Sequence, residues 1–309
     1  MGESNMLVSI LAAAVSSGTP ILFAALGELI TETAGVMNIG VEGMMLVGAV
    51  AGFLASVRTG NLLLGVLAAL LAGGLLALLH AFMCIALKVN QIVSGLALTL
   101  FGTGISGYLG KSMIGVPLPN HFRSVPLPAL SRLPVLGPVL FNHDVLVYLS
   151  FVLVPAVWYL FYRTRPGLHL RAVGESPETA DALGVNVFRT RYVSVVVGGM
   201  LAGLGGAYLS LAYAPSWIEN MTAGRGWIAV ALVIFAVWNP LRALAGAYLF
   251  GGVEAMGFRI QALGLRVPSF FLKMMPYIFT IVVLTVITAS SSKQSSRAPQ
   301  GLGRPYERE

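Results

Sequence analysis

The sequence predicts an all-α polytopic membrane protein with about nine or ten transmembrane helices, and three observations predict it. Of its 309 residues, 57% are hydrophobic and only 10% charged, with a mean hydropathy of +0.84, whereas a soluble domain carries roughly a quarter charged residues. The apolar residues fall in blocks of about 17 to 25, the length a helix needs to cross roughly 30 Å of hydrocarbon. The 36 glycines would weaken helices in water, but in lipid small residues let helices approach closely. An aqueous fold is excluded, because no soluble core has room for this much apolar surface.

In chain order the spans fall near 7–30, 36–57, 62–87, 91–110, 144–162, 192–213, 225–239, 241–258 and 274–290, with a tenth if the second is split. No Lys or Arg precedes Arg58, so no basic n-region leads the first span and a cleaved signal peptide is not expected. The 163–191 segment carries Arg163, Arg165, Arg171, Arg189 and Arg191, and the region after 290 carries Lys293, Arg297, Arg304 and Arg308. The excess of basic residues assigns both to the cytoplasm. The even number of spans between them puts them on one side, and the odd number before the first puts the N-terminus outside. The formal charge of +7 is therefore read as membrane topology, and no nucleic-acid partner is expected.

Pro117, Pro119, Pro126, Pro128, Pro134 and Pro138 exclude a regular helix from 111–143, which is expected to be an ordered external loop, either a docking surface or a connector. Cys84 lies in an apolar block and reads as a small core residue. The chain thus divides into a transmembrane domain, 1–290, and a polar Gly/Pro-containing cytoplasmic tail, 291–309, expected to be disordered.

Polar residues interrupt the apolar pattern near the N-terminus. In GELITETAGVMNIGVEGMMLVGA, Glu28, Glu32 and Glu42 flank Gly35, Asn38, Gly40 and Gly43. A carboxylate at mid-membrane costs about 2.5–3.5 kcal/mol on insertion scales, so it faces protein, a cavity or water. Two readings stand: a turn between two spans with capping carboxylates, or a helix broken near 34–42 at membrane depth, whose freed backbone, Asn38 and the carboxylates line a pathway. Gln91 and Ser94 at the start of the fourth span fit capping or interhelical bonding as well as a pathway. Trp227 fits an interfacial belt or a stacking platform for a substrate ring.

The 163–191 segment contains a helix start: Ser176 as N-cap, Pro177 at the first position, and Glu178 and Asp181 toward the positive dipole end. Gly184 ends it. A helix of about two turns is marginal alone, since isolated helices need roughly 12–15 residues. It therefore packs on its own membrane domain or docks into a partner.

No catalytic, cofactor or metal site is predicted. Gly110, Lys111 and Ser112 supply the end of a phosphate-binding loop, but Ile105 stands where its first glycine belongs. The histidines at 80, 121, 143 and 169 are scattered, and the aspartates are Asp144 and Asp181, so neither a metalloprotease nor a membrane aspartyl protease is encoded. The rival transport class is an ion-coupled secondary transporter using Glu28, Glu42 or Glu254.

The run ETA, DAL and Gly184 resembles the EAA motif with which ABC importer permeases present a coupling helix to their ATPase, Thr179 replacing the first alanine. RAVGESPETADALGV, the interrupted segment above and GRGWIAVALVIFAVWNPLRALAGAYLFGG extend the resemblance, over about 20–290, to the binding-protein-dependent ABC transporter permeases for branched-chain amino acids, ribose and nucleosides. NIGVEGMM and AVGESP are most similar to the nucleoside and simple-sugar permeases. The resemblance implies half of the translocation pathway of an importer in the cytoplasmic (inner) membrane. Its small-molecule substrates would be nucleosides or related polar solutes, with simple sugars or branched-chain amino acids as alternatives. It also implies ABC ATPase subunits that hydrolyse ATP, a second related permease and an external substrate-binding lipoprotein. Glu175, Glu178, Thr179, Ala180, Leu183 and Gly184 would contact the ATPase, and Glu28, Asn38, Glu42, Gln91, Ser94 and Trp227 would lie by the substrate pathway.

Overall fold

The apolar blocks form helices in the computed structural model, which describes residues 3–262, 268, 271, 274, 275, 277–282, 285 and 298–308. The helices are α1 (Glu3–Thr33), α2 (Val41–Thr59), α3 (Leu62–Ala81), α4 (Gln91–Gly110), α5 (Leu136–Leu140), α6 (Val145–Arg163), α7 (Arg165–Glu175), α8 (Pro177–Ala182), α9 (Val187–Tyr208), α10 (Arg225–Phe235) and α11 (Pro240–Ala262). Phe82–Ala86 and Leu209–Tyr213 continue α3 and α9 as π-helical turns. Among the described residues the strands are β1 (Val125–Pro126) and β2 (Asn142–His143), paired antiparallel within the proline-rich loop.

Among the described residues six helices are long and apolar enough to cross a membrane: Met6–Thr33, Val41–Thr59, Leu62–Ala86, Gln91–Met113, Val145–Arg163 and Val187–Tyr213. They coincide with the first six expected spans, except that the second begins at Val41 rather than 36. The seventh expected span, 225–239, is a different object. Its helix, α10, has 11 residues, a rise of about 16 Å or half a bilayer. It stops because Asn239 precedes Pro240, a position that disfavours helix, and because Val237 and Trp238 both take positive φ, +51° and +52°. The eighth expected span is α11, which carries Arg242, Glu254 and Arg259 and is not among the six. Of the ninth, 274–290, residues 274, 275, 277–282 and 285 are described and are helical; the rest lies outside the described residues.

The core is built around α9, against which α1, α2 and α3 all pack. The contact is backbone to backbone: a Cβ on Gly198 would lie 2.8 Å from the Gly27 carbonyl oxygen, and one on Gly206 would lie 2.8 Å from the Ala49 amide nitrogen. Leucines point the other way. Leu63, Leu67, Leu71 and Leu75 form an exposed stripe on α3 at i, i+4 spacing, an outward face that suits acyl chains.

Thr31 reaches the Ser194 carbonyl and Ser17 the Tyr213 hydroxyl, so α1 runs antiparallel to α9 and the bundle has two distinct ends. One end carries α7, α8 and the segment 34–37. The other carries the proline-rich loop, fastened where Phe122 donates to the Leu211 carbonyl at 3.0 Å. The expectation of a disordered tail fails for 298–308: this segment folds back onto α7, α8 and Gly35, burying Tyr306 and Gly301. Its contacts are to backbone groups and to side chains that include Asp181 and Lys88, partners far away in sequence that composition does not reveal. Residues 291–297 lie outside the described set.

Candidate functional site

The interruption between α1 and α2 is held by side chains from three helices. Gly35, at φ +85°, turns the chain away from α1 in a conformation glycine adopts without strain. Asn38 then closes a local turn, its Oδ1 accepting from the Gly40 amide at 3.0 Å, while its own amide donates to Glu28 Oε1 at 2.8 Å. Gln91 Oε1 accepts from the Met37 amide at 2.7 Å, and Thr99 donates to the Ile39 carbonyl at 3.2 Å. His80 contributes Nε2 to the Met37 carbonyl at 3.0 Å, with Nδ1 bonded to Ser94 Oγ at 2.9 Å. Freed backbone groups buried among helices need partners of this kind.

The segment is no surface turn. Asn38 is 1% exposed, and Gly43 lies against Leu98 and Thr99, about two turns in from the start of α4. The structure therefore brings together Glu28, Asn38, Gln91 and Ser94, and adds His80 and Thr99. The sequence carries no signal for the last two, since a lone His or Thr in an apolar block reads as ordinary core.

Glu42 opens the first turn of α2 and meets a second helix start. Its Oε1 accepts from the Thr222 hydroxyl at 2.6 Å and the Gly224 amide at 2.8 Å, and its Oε2 accepts from the Gly226 amide at 2.6 Å. A buried carboxylate thus satisfies the orphan donors at the start of α10 and complements its dipole. Gly226 permits the approach: a Cβ there would lie 2.6 Å from Glu42 Cα. Alongside, Arg225 donates to the Met221 and Thr222 carbonyls, pairs with Glu254, and lies 5.8 Å from the centre of the Tyr213 ring. At the far end of α10, Trp238 Nε1 donates to Glu32 Oε2 at 2.8 Å. Carboxylates of α1 and α2 therefore hold both ends of the half-length helix.

Trp227 does not join this cluster. It is half-buried on α10, and the tryptophan that closes the bundle is Trp217, 2% exposed against Ala49, Val50 and Phe53. Gly110 leaves the room its indole fills. Among the described residues no cluster of His, Cys, Asp and Glu is arranged to hold a metal.

The 163–191 segment forms two helices where the sequence suggested one. Thr164 caps α7 through the Gly167 amide at 3.2 Å. Ser176 caps α8 as expected, accepting from the Thr179 amide at 3.4 Å. Gly184 closes α8 at φ +85°, donating to the Asp181 carbonyl at 2.8 Å, and Val185 donates to that of Ala180 at 2.9 Å. Ala180 points inward, to Val173 and Val187. Glu178, Thr179 and Gly184 are exposed, and Leu183 is 79% exposed. Glu175 is exposed instead at a cavity of about 460 Å³ that Arg171, Trp238 and Arg242 also line.

The two regions touch. Gly174, where α7 ends, packs on the Thr33 carbonyl and the Gly35 amide so closely that a Cβ would collide. The short exposed helix is thereby joined through backbone contact to the interrupted segment, and through that segment to Glu42 and the start of α10.

Comparison with known proteins supplies the context. The family described as branched-chain amino acid transport system, permease component, matches residues 10–289. The chain is 43% identical to a protein of Haloferax volcanii provisionally named as a glucose ABC transporter permease, over 99% of each chain. It is 33% identical to the guanosine ABC transporter permease of Bacillus subtilis, over 98% of this chain and 97% of that one. It is 34% identical to the nucleoside ABC transporter permease of Lactococcus lactis, over 93% and 94%. A solved structure of an inward-facing ABC transporter of provisional metal-chelate type shares the fold, with a TM-score of 0.50 and 15% identity over 91% of this chain and 85% of that one.

Proposed function

Since the chain belongs to the permease-component family of branched-chain amino acid transport systems, and is a multi-pass membrane permease of an ABC importer, we propose that it imports nucleosides or closely related polar solutes, with α8 as the element an ATPase subunit grips. The observation that carries the coupling reading is the backbone contact of Gly174 with Thr33 and Gly35. A displacement of α8 is delivered through that contact to the segment 34–40, and from there to the Glu42 carboxylate that holds the start of α10. Because α10 is half a bilayer long and anchored at both ends by side chains of α1 and α2, a small shift of 34–40 re-aims a whole helix inside the bundle. The chain itself supplies no ATP chemistry. Its work is mechanical.

Orientation follows the basic residues. Arg163, Arg165, Arg171 and Arg189 lie at the α7–α8 end, and this basic excess supports a cytoplasmic side for that end and the C-terminal segment, with the proline-rich loop outside, facing a substrate-binding lipoprotein. A second related permease completes the pathway. The nucleoside reading rests on the guanosine and nucleoside permeases. A simple sugar is the second reading, favoured by the 43% identity to the Haloferax protein. Of the carboxylates an ion-coupled carrier would use, Glu42 is held by three donors and Glu254 by Arg225, while Glu28 accepts from the Asn38 amide through one oxygen and leaves the other buried without a hydrogen bond.

The test is uptake by proteoliposomes containing the permeases, the ATPase subunits and the binding protein, with radiolabelled guanosine, glucose and leucine offered in turn. ATP-dependent guanosine uptake is expected. Gly184→Leu, which forces a side chain into a left-handed conformation costing about 1–2 kcal/mol, is expected to abolish it while leaving membrane insertion intact. Undiminished uptake without the ATPase subunits would overturn the importer mechanism, and glucose uptake alone would transfer the assignment to sugars.

A further inference from the structure

The docking face has a second component. Between Pro299 and Arg308 the chain crosses every element that meets at that end of the bundle. Gly301 donates to the Gly174 carbonyl at 2.8 Å and Gly303 to the Gly35 carbonyl at 3.2 Å, so one short stretch bonds both to the end of α7 and to the interrupted segment. The buried Arg191 of α9 donates to the Arg304 carbonyl at 3.2 Å. Tyr306, 6% exposed, inserts its ring among Val173, Ala180 and Val187, packs 5.6 Å from the Phe188 ring, and donates its hydroxyl to Asp181 Oδ2 at 2.9 Å. Arg308 pairs with the same Asp181 carboxylate at 3.0 Å, and Glu307 pairs with Lys88 in the turn between α3 and α4.

The contacts to α8, at Ala180 and Asp181, fall on its inner side. Its outer side, with Glu178, Thr179 and Leu183, stays exposed, and beside it the segment exposes Arg304, Pro305 and Arg308. A helix of 6 residues cannot hold its own shape in water. What holds it is Ala180 against the bundle and Asp181 against Tyr306.

We infer that residues 298–308 are a strap that fixes α8, and that the surface gripped by an ATP-hydrolysing subunit is α8 and strap together. The inference rests on the docking role proposed above for α8. It assigns work to a stretch whose composition reads as a solvated tail, and it explains why Asp181, on the inner side of α8, is a carboxylate with two donors aimed at it. The strap also joins Gly174 to Gly35 from outside, so the contact that relays motion is clamped by it.

Two readouts on the full-length permease test this. In the permease alone, hydrogen exchange of the amides at 178–185 is measured for the wild type, for a variant ending at Ala298, and for Tyr306→Phe, which keeps the ring and loses one hydrogen bond. Truncation is expected to speed exchange at least about tenfold, and Tyr306→Phe about fivefold, the ratio that one buried hydrogen bond supports. Unchanged exchange after truncation would overturn the strap. In the second readout the ATPase subunits are co-purified with each variant. Truncation is expected to lower their retention, and full retention with a loosened α8 would overturn the composite surface. Leu183→Arg separates the premise from the inference: if it leaves ATPase retention unchanged, the docking role of α8 fails whatever the exchange data show.

Discussion

Glu42→Gln isolates what the carboxylate in the bundle does. Three donors converge on Glu42: the Thr222 hydroxyl and the Gly224 and Gly226 amides, at 2.6–2.8 Å. The residue is 4% exposed, so bulk water does not replace a lost partner. A glutamine can turn its carbonyl oxygen to Thr222 and Gly224, but its amide group then faces the Gly226 N–H, donor against donor. Orphaning one buried donor costs about 1–3 kcal/mol, and removing the charge from the start of a helix costs about another 0.3–1 kcal/mol. The sum, about 1–4 kcal/mol, lowers the melting temperature of the detergent-solubilised permease by about 3–16 °C on the scale of about 2–4 °C per kcal/mol for a large chain. Hydrogen exchange locates the damage, with Gly224 and Gly226 losing protection before the core of α9 does. A variant that melts within about one degree of the wild type, with those amides still protected, would refute the anchoring role. Glu42→Ala, which orphans all three donors, is expected to yield little folded protein.

The packing around α9 gives two further tests. Gly206→Leu pushes a side chain into a contact where a Cβ already approaches the Ala49 nitrogen at 2.8 Å; overpacking of this kind costs about 1–3 kcal/mol or more, and the variant is expected to show a lowered melting temperature, while Gly104→Leu, where no atom lies within 4 Å, is expected to melt like the wild type. Trp217→Ala empties the space in front of Gly110 and is expected to cost about 3–5 kcal/mol by thermal unfolding, whereas Trp227→Ala is expected to cost far less, because Trp227 is only half-buried.

The features legible in the sequence were those fixed by local chemistry. Apolar blocks of bilayer length gave the first six spans, and Ser176, Pro177 and Gly184 marked the start and stop of α8, because caps and a left-handed glycine depend on residues within one turn. The pair Asn239–Pro240 is a readable stop for α10, but the apolar run on either side of it looks like a full span and hides a half-length helix. The interrupted segment was legible as an anomaly and not as a geometry. Glu28, Asn38 and Gln91 stand out as polar residues in apolar blocks, yet their convergence, and the role of His80, depend on how α1, α3 and α4 meet. The fold of 298–308 was the least legible. Its partners Gly35, Gly174 and Asp181 lie more than a hundred residues away, and a polar Gly/Pro-containing stretch looks the same whether or not such partners exist.

The proposed mechanism requires that the exposed face of α8 meet the ATPase. Site-directed cross-linking tests it most directly, because the natural cysteine, Cys84, is buried and can be replaced by Ser to leave a background free of reactive thiols. Thr179→Cys places a thiol on the exposed side of α8, and Leu130→Cys places one in the proline-rich loop at the opposite end of the bundle. With the assembled importer in membranes and a short thiol-to-amine cross-linker, the ATPase subunit is expected to be captured from Thr179→Cys and not from Leu130→Cys. Capture from Leu130→Cys with none from Thr179→Cys would put the ATPase at the proline-rich end and overturn the docking role of α8.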